Sequence, residues 1–135
     1  MIPSQYVAPR FATVVILSED DHGMSRETLT FKQSATVYDI GELLISEYNA
    51  GAKTGIYVRA TQALVDAAKV LEIDDPDLAA TFAVSVDYVD ATAGNTPGPT
   101  VNHLAQVKGR ELRLDASITV AEAKALLAKQ LVIVR

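Results

Sequence analysis

The sequence predicts an α+β domain, mostly β, with a C-terminal helix followed by a terminal strand and a flexible N-terminal arm. Three observations carry that prediction. Thr119 to about Lys129 reads as a capped amphipathic helix running straight into Leu131-Val132-Ile133-Val134-Arg135. A β-branched run placed there has no room for a tail and has to be tied into a sheet. Residues 1–10 carry Pro3, Pro9, little periodicity and an exposed-looking Tyr6, which reads as an arm. Between these ends lie short β-branched or alternating segments separated by turn residues.

At 135 residues without cysteine, the chain fits a single domain over residues 11–135 that buries its core without disulfides. A cysteine-based metal or redox site is excluded. Only eight aromatics are present (five Tyr, three Phe), so the core is filled with small and aliphatic side chains. The net charge of −5 and scattered cations disfavour duplex nucleic acid. The longest apolar run, Ala12 to Leu17, is too short to span a bilayer, and no signal peptide is evident. The expectation is a soluble intracellular product, or one that reaches the outside by another route such as cell lysis, with no membrane or nucleic-acid partner and no cofactor.

Taken in order, Phe11 to Leu17 predicts a buried strand and Ser18 to Gly23 a polar turn. Ser25 to Phe31 alternates as a half-buried strand, with Leu29 and Phe31 on one face and Thr28 and Thr30 on the other. Thr36 to Ile45 reads as a strand interrupted at Gly41 by a bulge or sharp bend. Tyr48 to Gly55 predicts a flexible turn, and Ile56 to Val58 a short strand. Ala60 to Glu72 fits a helix with Leu64, Ala68 and Leu71 on one face, ended by Asp74-Asp75-Pro76-Asp77; an irregular cover also fits. Thr81 to Val89 predicts a strand with Phe82, Val84, Val86 and Tyr88 on one side. Ala91 to Thr100, rich in Gly, Pro, Asn and Thr, reads as the clearest loop in the chain. Val101 to Val107 and Glu111 to Leu114 read as strands around a kink at Lys108-Gly109. In the last helix, Thr119 and Glu122 form a capping-box pattern, with Val120, Ala123 and Leu127 on one face.

Candidate chemistry is sparse. Glu19-Asp20-Asp21-His22 sets carboxylates beside an imidazole, but neighbouring loop residues do not converge on one point without a scaffold, so a solvated turn is the simpler reading. Asp74 to Asp77 lacks the glycine and distal glutamate of a calcium loop and reads as a polar helix stop. His103 reads as a packed or interface histidine in an apolar strand. Ser25 and Ser117 have no histidine partner at a recognisable spacing.

Three stretches resemble the head decoration proteins of lambda-like tailed phages. They are Ile16-Leu17-Ser18-Glu19 with Ser25-Arg26-Glu27-Thr28-Leu29-Thr30, then Val89-Asp90-Ala91-Thr92-Ala93, and then Val107-Lys108-Gly109 through Leu112 and the helix to Leu131-Val132-Ile133-Val134-Arg135. Together they cover roughly half of the chain, and their order is more telling than any one of them. The departure lies between Asn49 and Asp77, where the family's pattern calls for a short glycine-rich loop and a different strand. The resemblance implies a β-tulip-like domain and a virion structural protein on the outer capsid surface. It implies a homotrimer at threefold positions of the expanded shell, partnered by the major capsid protein of the same phage. It also implies a capsid-binding arm of Ser4, Gln5, Tyr6, Val7, Arg10 and Phe11, with no catalytic, metal or cofactor residues. The rival reading is a monomeric small-molecule or carbohydrate-binding β domain, which needs an aromatic-lined pocket. A third is an enzyme with a carboxylate-based site.

Overall fold

Among the residues that the computed structural model describes, 15–19 and 25–135, eight strands build two separate β assemblies. In chain order the strands are β1 (Ile16–Glu19), β2 (Arg26–Phe31), β3 (Leu43–Asn49), β4 (Ala52–Arg59), β5 (Phe82–Ser85), β6 (Thr96–Val101), β7 (Ala105–Val107) and β8 (Val132–Val134). The helices are α1 (Gln62–Asp74) and α2 (Val120–Ala128). Five strands close a barrel in the order β2-β4-β3-β5-β6, and the remaining three form a sheet in the order β1-β7-β8. The architecture is α+β and mostly β, as expected from the sequence.

The barrel wall is apolar on both faces where β3 and β5 run side by side. Leu43 and Ile45 of β3 and Phe82 and Val84 of β5 belong to the larger core cluster. That cluster also takes in Val65 and Ala68 of α1, Leu126 and Leu127 of α2, and Val107, Val132 and Val134 of the small sheet. On the opposite face Leu44 and Ala83 join Leu29, Phe31, Tyr38, Val89 and Ala91 in a second cluster. A strand buried on both faces reads as a continuous apolar run rather than an alternating one. This is why Leu43-Leu44-Ile45 and Phe82-Ala83-Val84 are buried without a break.

Arg59 locks the second cluster from outside. Its guanidinium stacks 4.0 Å from the centroid of the Tyr38 ring, and that ring meets Phe31 edge-on at 4.9 Å. The same guanidinium donates to Ser34 Oγ and to the carbonyls of Thr36 and Val37. One arginine therefore fixes the otherwise irregular stretch from Ser34 to Val37 by stacking and hydrogen bonds together.

The second helix begins at the expected cap, whereas α1 begins at Gln62 behind Thr61 rather than at Ala60. The Thr119 hydroxyl accepts from the Glu122 N–H, and Thr61 does the same for Leu64. The Asp75 carboxylate accepts from the Asp77 N–H where α1 gives way to a short 3₁₀ turn, so the acidic run is indeed a helix stop. The inward face of α1 is Val65 and Ala68, whereas Leu64 is exposed, which shifts the predicted face by one position.

Several expectations are corrected. Ala91 to Thr100 is not a loop throughout: Thr96–Val101 is a barrel strand paired with β2 along its whole length. Pro97 and Pro99 are tolerated because, two apart, they share one side of the strand, the side on which Pro99 offers only its carbonyl to the Val86 N–H. Gly98 lies against Phe31 and Val89 so closely that a Cβ would stand 2.5 Å from Val89 Cγ2. The Tyr48 to Gly55 stretch is a hairpin with a two-residue turn, Ala50 and Gly51 both at positive φ. The extra residues of β4 around Gly55 make a bulge where the register shifts. Thr36 to Glu42 is not continuous strand. The chain bends at Gly41, and only Tyr38 and Glu42 make isolated bridges, to Val89 and Arg113. The strand at 81–89 stops at Ser85, leaving Tyr88 exposed. Val101 to Val107 is broken by a turn over residues 102–104, and the stretch expected as a strand at Glu111 to Leu114 is a 3₁₀ turn and a single bridge. In α2, Val120 is exposed and Leu126 buried.

The carboxamide of Gln130 joins the two assemblies. Its Oε1 accepts from the Phe82 N–H at 2.6 Å, while its Nε2 donates to the Phe82 carbonyl at 2.6 Å and to the Asn102 carbonyl at 2.8 Å. A side chain thus imitates a neighbouring strand for the start of β5. Gln130→Ala leaves the buried Phe82 amide without a partner, and an equilibrium urea titration should show a loss of about 1–3 kcal/mol at unchanged m value. Gly41 has φ of +92°, and a Cβ there would stand 2.3 Å from the Glu111 carbonyl oxygen. Gly41→Ala should therefore destabilise the fold by more than about 1 kcal/mol in the same titration.

Candidate interaction surface

The three-stranded sheet is where the described chain begins and where its last residues return. Val15 is fully buried, and its carbonyl accepts from the Lys108 N–H at 2.8 Å. The Gly109 N–H donates to the Arg135 carbonyl, and the Arg135 N–H to the Val107 carbonyl, both at 2.9 Å. Gly109 is tightly enclosed, since a Cβ would lie 3.0 Å from Val134 Cγ1 and 3.2 Å from the Arg135 carbonyl oxygen. The terminal strand is tied into a sheet as the sequence requires, but beside β7 and parallel to it.

Register gives this sheet two distinct ends. At one end Ile16 pairs with Val107, which pairs with Val134, so residues 1–14 join the fold here. At the other end Glu19 pairs with Ala105, which pairs with Val132. Ser18, Gln106 and Ile133 stand abreast on the outer face. Leu17, at the register shift within β1, is exposed rather than buried as expected, and Ile133 is 40% exposed. At the second end Glu19 holds Arg26 in a two-pronged ion pair, with Nε and a terminal nitrogen at 2.8 and 2.9 Å from its two oxygens. The Arg26 fork holds the Glu19 carboxyl below its ordinary range against a smaller opposing effect of burial.

Two further apolar residues cluster at that second end. Leu104 precedes β7 and Leu131 precedes β8, whose parallel register begins by pairing Ala105 with Val132. Both are in the left-handed region, at φ of 47° and 60°, and both are exposed, by 36% and 54%. Their backbones are nonetheless held. The buried Ser25 hydroxyl donates to the Leu104 carbonyl at 2.7 Å, and the Ala105 N–H donates to the Leu131 carbonyl at 3.3 Å. Sequence reading placed both leucines inside strands and missed them. Leucine carries none of the signal that glycine or asparagine gives for this conformation.

The residues weighed for chemistry do not converge. Glu19 is spent on Arg26, while Asp20, Asp21 and His22 lie outside the described residues. Among the described residues no group of three or more His, Asp or Glu is placed to hold a metal ion. His103 sits half-buried in the turn before β7, not in a strand. Ser117 is occupied in its own loop, donating to the Asp115 carboxylate and accepting the Gln62 N–H. A groove of about 640 Å³ lies between α1 and the β3–β4 hairpin. Its walls are Val58, Leu64, Ala67 and Leu71, with the Lys32–Glu47 ion pair (2.6 Å) and a single aromatic, Tyr48. That lining falls short of the aromatic pocket expected of a carbohydrate-binding domain. Among the described residues no helix is long and apolar enough to cross a membrane.

The arm residues Ser4, Gln5, Tyr6, Val7, Arg10 and Phe11 lie outside the described residues. A family model described as bacteriophage lambda head decoration protein D matches residues 5–133. No curated protein and no solved structure matches the chain.

The Glu19–Arg26 pair makes stability depend on pH in a defined window. Because the folded carboxyl titrates below its reference value of 4.5, the pair's contribution is complete above that pH and drains as pH falls through the lowered value. Thermal midpoints of Glu19→Gln and the parent protein should differ by the equivalent of under about 1 kcal/mol at neutral pH and converge in strong acid. A gap that persists unchanged into acid would mean that the ion pair is not its source.

Proposed function

The chain belongs to the bacteriophage lambda head decoration protein family, a phage structural family, and from that premise we propose how it decorates the shell. It binds the outer surface of the expanded capsid as a homotrimer at threefold positions and stabilises the lattice against the major capsid protein's return to its earlier state. The observation that carries this reading is the family match across nearly the whole chain.

Residues 1–10 act as the arm. An extended segment that orders on binding gains main-chain hydrogen bonds by adding to a sheet edge of the coat protein. Tyr6, Val7 and Phe11 bury apolar surface there, Arg10 pairs with an acidic coat residue, and Ser4 and Gln5 supply polar contacts. The point of attachment supports this assignment, because Val15 leads into β1, an outer strand of the small sheet. Three arms on one trimer engage together, so a modest contact per arm becomes tight binding through effective concentration. A protein that binds only the expanded lattice stabilises it by mass action, and no chemical step is needed.

Co-sedimentation with expanded, undecorated capsids of the same phage tests the reading. Saturation at three copies per threefold position is the expected result, and failure to bind intact shells would overturn it. Deleting residues 1–10 should leave the thermal midpoint of the domain within a few degrees of the parent. The same deletion should reduce capsid binding by at least tenfold, and undiminished binding would remove the arm from the mechanism.

A further inference from the structure

We infer that the groove between α1 and the β3–β4 hairpin is a docking site for an amphipathic helix of another protein, apolar along one face and basic at one end. The inference is independent of the capsid reading above and starts from an imbalance in α1. Only Val65 and Ala68 of this helix are buried. Leu64, Ala67 and Leu71 turn to the groove instead, and Val70 on the next row round the helix is 63% exposed. A surface helix normally confines its apolar side chains to the stripe that its own core covers. Here a second stripe is left over, and the hairpin faces it across the groove with Val58 and Tyr48. From Leu64 to Leu71 that stripe runs two helical turns, about 10 Å.

Charge decides the occupant. The Tyr48 hydroxyl donates to the Leu78 carbonyl, so the hairpin meets the chain just beyond the C-terminal end of α1. That end carries Asp74, Asp75 and Asp77, all exposed, and the negative end of the helix dipole adds to them. No basic residue stands in the last turn of α1. Lys53, opposite Tyr48 in the hairpin register, offsets at most one of the three aspartates. Inside the groove the Glu47 Oε2 atom is shut off from solvent, and among the described residues its one partner is the half-exposed Lys32 at 2.6 Å. A complementary occupant is therefore apolar where it meets Leu64, Ala67 and Leu71, and positive where it meets Asp74. It is helical because the α1 wall offers side chains and no free backbone. An extended chain laid there would leave its own N–H and C=O groups unpaired, whereas a helix bonds them internally.

Two synthetic helical peptides of about 15 residues test this. Both carry leucines at helical spacing along one face, and one ends in two arginines where the other ends in two glutamates. Titrated into the full chain, the arginine peptide should shift the backbone amide resonances of Leu64, Ala67 and Leu71. Its dissociation constant should be at least tenfold below that of the glutamate peptide and should rise with salt. Ala67→Trp fills the groove from an exposed position on α1. Its thermal midpoint should stay within a few degrees of the parent while affinity for the arginine peptide falls at least tenfold. Asp74→Lys sets a cation at the C-terminal end of a helix, where it is well tolerated, and should abolish the preference between the two peptides. Failure of the arginine peptide to bind, or equal binding of both peptides to the parent, overturns the inference. Undiminished binding to the folded Ala67→Trp variant does the same. Octylammonium bound in the groove with neither peptide binding makes it a small-molecule site, which also overturns the inference. Self-association of the parent that Ala67→Trp abolishes makes a second copy the occupant and overturns it too.

Discussion

The carboxamide of Gln130 is the contact on which the rest of the arrangement depends. A five-stranded barrel and a three-stranded sheet share a core, but apolar packing alone does not fix how one sits on the other, because it is not directional. Hydrogen bonds are directional, and Gln130 makes three of them, two to Phe82 and one to Asn102. It thereby sets the exit of α2, the start of β5 and the turn before β7 in one frame. Leu131 follows it directly, and Leu104 closes the turn that Asn102 opens. Ser25 adds a second tie, its hydroxyl reaching the Leu104 carbonyl from the start of β2.

The barrel solves a different problem. Its strands are short, and a sheet with free edges would invite pairing with other chains. Closure of β2 onto β4, in parallel, and onto β6, antiparallel, leaves no edge in the barrel. Among the described residues, the small sheet is the place where edges remain, on β1 and β8. Edge strands and the attachment of residues 1–14 therefore fall together in one assembly, while the other is closed.

The sequence made some of this legible and hid the rest for physical reasons. The end of the chain was readable because capping chemistry is local: Thr119 and Glu122 lie three residues apart, and the β-branched Val132-Ile133-Val134 suits a strand wherever it lands. The Leu29 and Phe31 face of β2 was readable because one face of that strand is covered and the other is not. β3 and β5 were misjudged in extent because both of their faces are buried, which erases the alternation that marks a strand. β6 was read as a loop because Pro97, Gly98 and Pro99 are turn residues by composition. Only pairing with β2, far away in sequence, turns them into a strand, and Gly98 is there for clearance against Phe31 and Val89. Leu104 and Leu131 carried no signal at all, because their left-handed backbone goes with distant bonds, from the Ser25 hydroxyl to the Leu104 carbonyl and from the Ala105 N–H to the Leu131 carbonyl.

The pairing of β2 with β6 has a kinetic side. These strands lie at opposite ends of the barrel's sequence, with the β3–β4 hairpin, α1 and β5 between them. The entropy of closing that long loop is spent before any bond of the pair forms, and topologies dominated by such distant contacts fold slowly. The β3–β4 hairpin and the two capped helices can form early, since they are local. Until β6 arrives, β2 has only its short parallel pairing with β4, and β5 has one open flank. At high chain concentration that half-closed state leaves strand flanks open to other copies. Closing it depends on a Pro-Gly-Pro strand, already restricted in the unfolded state, reaching its distant partner.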